Sequence, residues 1–118
     1  MCVDRAGIVG NDGETHQGVF DLSFFSIVPN LVVMAPKDFK ELENMLEYAV
    51  NLKKPVVIRY PRGGEGAVKF DIHEPLENHA SEIIKTGTDL SIIAIGKMVS
   101  KAVEIANILE KQGNSIEV

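Results

Sequence analysis

A chain of 118 residues with 45% hydrophobic and 25% charged side chains has the length and composition of one ordinary folded domain. Its formal charge of −5 gives no attraction to nucleic acid or a membrane surface, and no apolar run approaches the ~20 residues of a bilayer span. A single cysteine excludes an internal disulfide and a Cys-based zinc site, and with no signal-like start a reducing, cytoplasmic compartment is expected.

Met1-Cys2-Val3 reads as the last part of a strand that leads into a glycine-rich loop, Asp4 to Gly18. The apolar segment Val19, Phe20, Leu22, Phe24, Phe25 and Ile27 follows; if it is helical, the Phe20/Phe24 spacing suits a core pair. Leu31 to Ala35, ended by Pro36, is a short strand with the continuous apolar character of one buried on both faces. Asp38, with Glu41 three residues on, resembles a capping box. Phe39, Leu42, Met45, Leu46, Ala49 and Val50 then form one helical stripe, and Lys53 and Lys54 stand at the favoured C-terminal end. Val56 to Tyr60, between Pro55 and Pro61, is the next strand, so the run is a β-α-β unit with a parallel pair.

Gly63-Gly64-Glu65-Gly66 opens a weakly patterned stretch, read as a linker over residues 64–81. His73 and His79 fall in or beside it and are expected to be solvated. A second unit begins with the strand Leu90 to Ile95 and its turn at Gly96. The helical stripe Val99, Ala102, Val103, Ala106 and Leu109 follows, then Gly113 as C-cap and a strand start at Ser115 to Val118. Charge is uneven: residues 1–63 carry seven basic and eight acidic groups, and residues 64–118 carry five and nine. The expected class is α/β, with the later part of one domain at 1–63 and the start of another at 82–118. Strand-like character at both ends makes a piece of a longer protein the expectation.

Ligands of parallel α/β sheets sit beyond the carboxyl ends of the strands. There the first loop places Arg5, and the loop after Val56–Tyr60 places Arg62, so two arginines distant in sequence can share one sheet edge. Paired guanidinium groups suit a phosphate dianion; the other reading is that they are surface groups or partners of Asp4 and Asp12. Arg59, inside the strand, is expected to pair with a carboxylate. His16 would stand near the N-terminus of a helix formed by the next segment, where the dipole keeps an imidazole neutral and able to move a proton; alternatively it hydrogen-bonds the loop. Asp12 could hold a substrate hydroxyl or cap the loop. Gly7, Gly10 and Gly13 do not make a dinucleotide fingerprint, no P-loop lysine follows, and no serine sits in a nucleophile elbow.

Asp4-Arg5-Ala6-Gly7-Ile8-Val9-Gly10, Asp12-Gly13 and Thr15-His16-Gln17-Gly18 together resemble the 1-deoxy-D-xylulose-5-phosphate synthase family. Phe20-Asp21-Leu22-Ser23, Ile27-Val28-Pro29-Asn30, Met34-Ala35-Pro36-Lys37-Asp38 and Arg59-Tyr60-Pro61-Arg62-Gly63 continue the likeness in order, and residues 82–118 are similar, more weakly, to the start of its C-terminal domain. Glu14 stands where many members have proline, and Ser26 where a basic residue is usual.

The resemblance implies a transketolase-like pyrimidine-binding domain followed by a transketolase C-terminal-like α/β domain. It implies a homodimeric transferase using thiamine diphosphate and magnesium, which joins pyruvate to glyceraldehyde 3-phosphate with loss of carbon dioxide. The product feeds isoprenoid, thiamine and pyridoxal biosynthesis. It further implies that Arg5 and Arg62 hold the acceptor phosphate and that Asp12 and His16 lie in the active site, His16 near the reactive carbon. The determinants for the cofactor and its metal would lie outside this chain, which alone is expected to be inactive. A transketolase, a 2-oxo acid dehydrogenase β subunit and a non-catalytic association domain are the competing expectations; Gly18 after His16-Gln17 and the Arg59–Gly63 run count against the first two.

Overall fold

The computed structural model describes residues 1–71, 73, 75–76 and 81–118; His79 and part of the 64–81 stretch lie outside them. In chain order the elements are β1 (Cys2–Val3), α1 (Asp21–Phe25), β2 (Val32–Met34), α2 (Phe39–Asn51), β3 (Val56–Arg59), β4 (Leu90–Ser91), α3 (Met98–Glu110) and β5 (Ile116–Glu117).

The first three strands form a parallel sheet of order β1-β3-β2, with Cys2 opposite Ile58 and Val33 opposite Val57. Val56, Val57 and Ile58 are all buried, as the continuous apolar run requires of a central strand with both faces covered. Period-two alternation sends Val56 and Ile58 to one face, where Met45 of α2 meets them and Val32, Met34, Leu42 and Ala49 close the cluster. Asp38 caps α2: its Oδ1 accepts from the Glu41 backbone N–H at 2.8 Å. The Glu41 carboxylate reaches back one residue beyond the capping-box position, accepting from the Lys37 N–H at 2.6 Å. Only half of the expected stripe is covered, for Phe39, Leu46 and Val50 face outward.

The second unit pairs β4 with β5 in parallel, Leu90 opposite Ile116. Val99, Ala102, Val103 and Ala106 are the buried apolar residues of α3, the i, i+3, i+4, i+7 pattern of one helix face. The strand expected over Leu90–Ile95 keeps ladder pairing only at its first two residues.

The glycine-rich stretch between the units is held to both. The Glu65 carboxylate accepts from the Phe39 N–H, the Val68 N–H donates to Ser100 Oγ at 3.1 Å, and Leu76 packs on the first core. His73 is not solvated as expected: its Nε2 lies 2.7 Å from Asp38 Oδ2 and its side chain is largely buried. Pairing across 35 residues leaves no mark in local sequence, which is why composition misplaced it. The Lys37 side chain, 4% exposed, joins Glu41 at 3.1 Å and Glu82 at 2.6 Å, tying the end of β2 to the second unit.

Candidate functional site

The carboxyl ends of β1, β2 and β3 converge on a cavity of about 380 Å³ whose lining includes Arg5, Lys37, Phe39, Tyr60, Arg62 and Lys97. The strand register makes this convergence: the Tyr60 N–H donates to Val3 O and the Ala6 N–H to Tyr60 O, each at 3.0 Å, so the two chains leave the sheet side by side.

The loop after β1 is folded by its own groups. Gly18 is bonded to both Arg5 O and Gly7, and a Cβ there would lie 2.6 Å from the Arg5 carbonyl oxygen, so only glycine permits the closure. Gln17 spans the loop: Oε1 accepts from Val9 N–H at 2.6 Å, while Nε2 donates to Val9 O at 3.0 Å and Gly13 O at 3.2 Å. Reading the sequence missed this role. The available signal was a primary amide, donor and acceptor in one group, closing a glycine-rich loop. Arg5 sits at φ 58, a left-handed conformation costly for a residue with a Cβ and concentrated at functional positions.

Arg5 and Arg62 do meet. Arg5 Nε donates to Asp12 Oδ2 at 2.8 Å, Arg62 Nη1 donates to Asp12 Oδ1, and Arg5 Nη1 also reaches Asp4 Oδ2 at 3.1 Å. The Asp12 side chain is 5% exposed. Burial pushes its carboxyl up, but hydrogen bonds and charge from Arg62 and Arg5 outweigh that and hold it below its ordinary value of 3.8. Of the two readings of the arginines, the pairing with carboxylates is the one on view: Arg5 pairs with Asp4 and Asp12 and Arg62 with Asp12, so the two guanidinium groups, from the loops after the neighbouring strands β1 and β3, converge on one carboxylate.

His16 stands apart. It is exposed, its Nδ1 lies 2.8 Å from Thr15 Oγ1, and it does not line the cavity. The helix expected to place it is a five-residue turn that begins at Asp21, so no helix dipole acts on the imidazole. Phe20 and Phe24, expected in the core, are 73% and 48% exposed, because this turn is too short to bury a face. Arg59 takes the expected carboxylate, donating through Nε to buried Asp21 at 3.4 Å.

These features agree with the comparisons. Residues 1–64 match the transketolase pyrimidine-binding domain, and residues 79–118 match the transketolase C-terminal domain. The chain belongs to the transketolase pyrimidine-binding family. Among individual proteins it is 53% identical over 114 residues to the 1-deoxy-D-xylulose-5-phosphate synthase of Natranaerobius thermophilus, with 96% of this chain covered. It is 51% identical over 112 residues to the synthase of Dictyoglomus turgidum, with 94% covered. The synthase resemblance read from residues 1–63 is thereby borne out. The chain spans 18% of the length of either relative. A solved split-gene transketolase, described as an inactive beta4 tetramer, superposes with a TM-score of 0.85 at 31% identity, over 99% of this chain and 37% of that one. The expected α/β class, a transketolase-like pyrimidine-binding unit followed by a C-terminal-like unit, stands.

Proposed function

We propose that this chain supplies the acceptor-phosphate side of a 1-deoxy-D-xylulose-5-phosphate synthase, with Arg5 and Arg62 gripping the phosphate of glyceraldehyde 3-phosphate. The observation that carries the reading is the convergence of two guanidinium groups, from the ends of β1 and β3, on the Asp12 carboxylate. A phosphate monoester presents the same charged oxygens in greater number, and guanidinium binds such oxygens in pairs. Residues 1–63 supply this site, 64–81 join it to the next unit, and 82–118 begin the C-terminal-like domain. Asp12 and His16 serve the active site of the whole enzyme, Asp12 by setting the arginines and His16 by moving a proton near the reacting carbon.

The whole enzyme uses pyruvate as donor, thiamine diphosphate with magnesium as cofactor, and a homodimeric assembly. Among the described residues no group of three or more His, Cys, Asp or Glu side chains stands together as metal ligands. In the proposed reading this chain binds and orients the phosphorylated acceptor, and alone it does not release carbon dioxide from pyruvate. No helix among the described residues is long and apolar enough to cross a membrane; we assign a cytoplasmic location, which suits a chain with one free cysteine.

Calorimetric titration of the chain with glyceraldehyde 3-phosphate and with unphosphorylated glyceraldehyde tests the site. Binding of the phosphate ester alone, lost in both Arg5→Ala and Arg62→Ala, is expected; equal binding of the two compounds, or none, overturns it. In the longer protein, robust ketol transfer between sugar phosphates in place of pyruvate decarboxylation would overturn the synthase assignment.

A further inference from the structure

The charges around the cleft nearly cancel one another. Arg5 and Arg62 are matched by Asp4 and Asp12, Lys37 by Glu41 and Glu82, and Glu65 by Lys69. Two arginines already neutralised by two carboxylates offer little surplus field to a dianion. One cation lining the same cavity comes from the second unit. Lys97 makes no ion pair among the described residues.

Lys97 is also a poor local choice. It occupies the N-cap of α3 without a side-chain cap bond, at the positive end of the helix dipole, where Ser, Thr, Asp or Asn is favoured. Residues that break a local rule without local compensation mark functional positions more often than others. Its placement is fixed by the preceding turn. Gly96 has φ +59, and a Cβ added there would stand 3.4 Å from the Ala35 Cβ, so the backbone comes close to the end of β2 and delivers Lys97 to the cavity.

We propose that Lys97 is a third phosphate-binding residue of the cleft, contributed by the C-terminal-like unit, and that it supplies the net positive charge the arginine pair lacks. The proposal rests on the phosphate reading of Arg5 and Arg62 and adds a determinant from outside the pyrimidine-binding unit. Lysine suits the role because its ammonium is a point charge on a flexible stem, able to follow a phosphate that the rigid guanidinium forks have oriented. The second unit thereby takes part in acceptor selection and is more than a structural appendage.

The test is titration of the full 118-residue chain with inorganic phosphate and with glyceraldehyde 3-phosphate, at low and high salt, for the wild type, Lys97→Ala, Lys97→Arg and Arg62→Ala. Lys97 is exposed, so circular dichroism should show the Lys97 variants folded. The expected result is affinity roughly tenfold weaker in Lys97→Ala for both ligands, largely restored in Lys97→Arg, with a shallower salt dependence in the alanine variant. Wild-type affinity in Lys97→Ala, while Arg62→Ala loses binding, overturns the role of Lys97 and leaves the arginine site standing. Absence of binding to the wild type overturns both.

Discussion

On the proposed phosphate reading, Asp12 stands where the anion would be received, since its carboxylate holds both arginines, and its charge would compete with the ligand. Asp12→Asn preserves the shape and removes the charge. Affinity of the chain for inorganic phosphate is expected to rise roughly three- to tenfold, measured by calorimetry, because the ligand no longer displaces an ion pair. The same group sets an acid limit. Its carboxyl is held below 3.8 in the folded chain, so its contribution to stability is complete above the ordinary carboxylate value and is lost only as pH falls through the depressed one. The Arg5 Nε–H resonance should stay unchanged through pH 3.8 and collapse at lower pH; collapse already at pH 5 would contradict the pairing. The arginines were legible in the sequence because parallel topology sends strand-following residues to one edge. Their partner was only one of two options, since a loop carboxylate can serve a ligand or its own chain, and sequence does not say which is nearer.

At the scale of elements, α2 is the piece whose beginning is written most plainly. Asp38 does two jobs, with Oδ1 on the Glu41 N–H and Oδ2 on His73. Asp38→Ala is expected to cost about 1–2 kcal/mol in urea unfolding, and Asp38→Asn distinctly less, because asparagine retains the cap and loses only the charge toward His73. A helix start, a central apolar strand and the stripe of α3 are all local patterns, and each falls within a residue or two of where its pattern ends. The segment after His16 shows the opposite case. Its aromatic and aliphatic residues look like helix core, yet Gly18 is tied back to Arg5 and the helix closes after a single turn, leaving Val19, Phe20 and Ile27 uncovered. Hydrophobic content predicted burial there, but burial also needs a partner surface, and this chain supplies none among the described residues.

Across the whole molecule, the described chain has a radius of gyration of 15.3 Å, against about 13–14 Å for a compact domain of this length. Two small cores are joined rather than merged, and Lys37 is a principal tie between them. Burial pushes its ammonium down, but the hydrogen bond to Glu82 and the charge of Glu41 outweigh that and raise it above its ordinary 10.5. Its stabilising contribution is therefore complete below the ordinary lysine value and lost only as pH rises through the raised one. Lys37→Met leaves both carboxylates without their cation. A loss of about 1–3 kcal/mol is expected, with an increase in radius of gyration by small-angle scattering as the second unit detaches; an unchanged radius would show that the glycine-rich stretch suffices to hold the units. The sheet order carries a different consequence, for assembly in time. β2 and β3 are joined through α2 and can pair after a short closure, whereas β1 must be brought back across most of the first unit to reach the far side of β3. Arg5 depends on that longer closure. A folding intermediate holding only β2, α2 and β3 would have a formed core and no grip on an anion, so recovery of phosphate binding would lag behind recovery of the core during refolding.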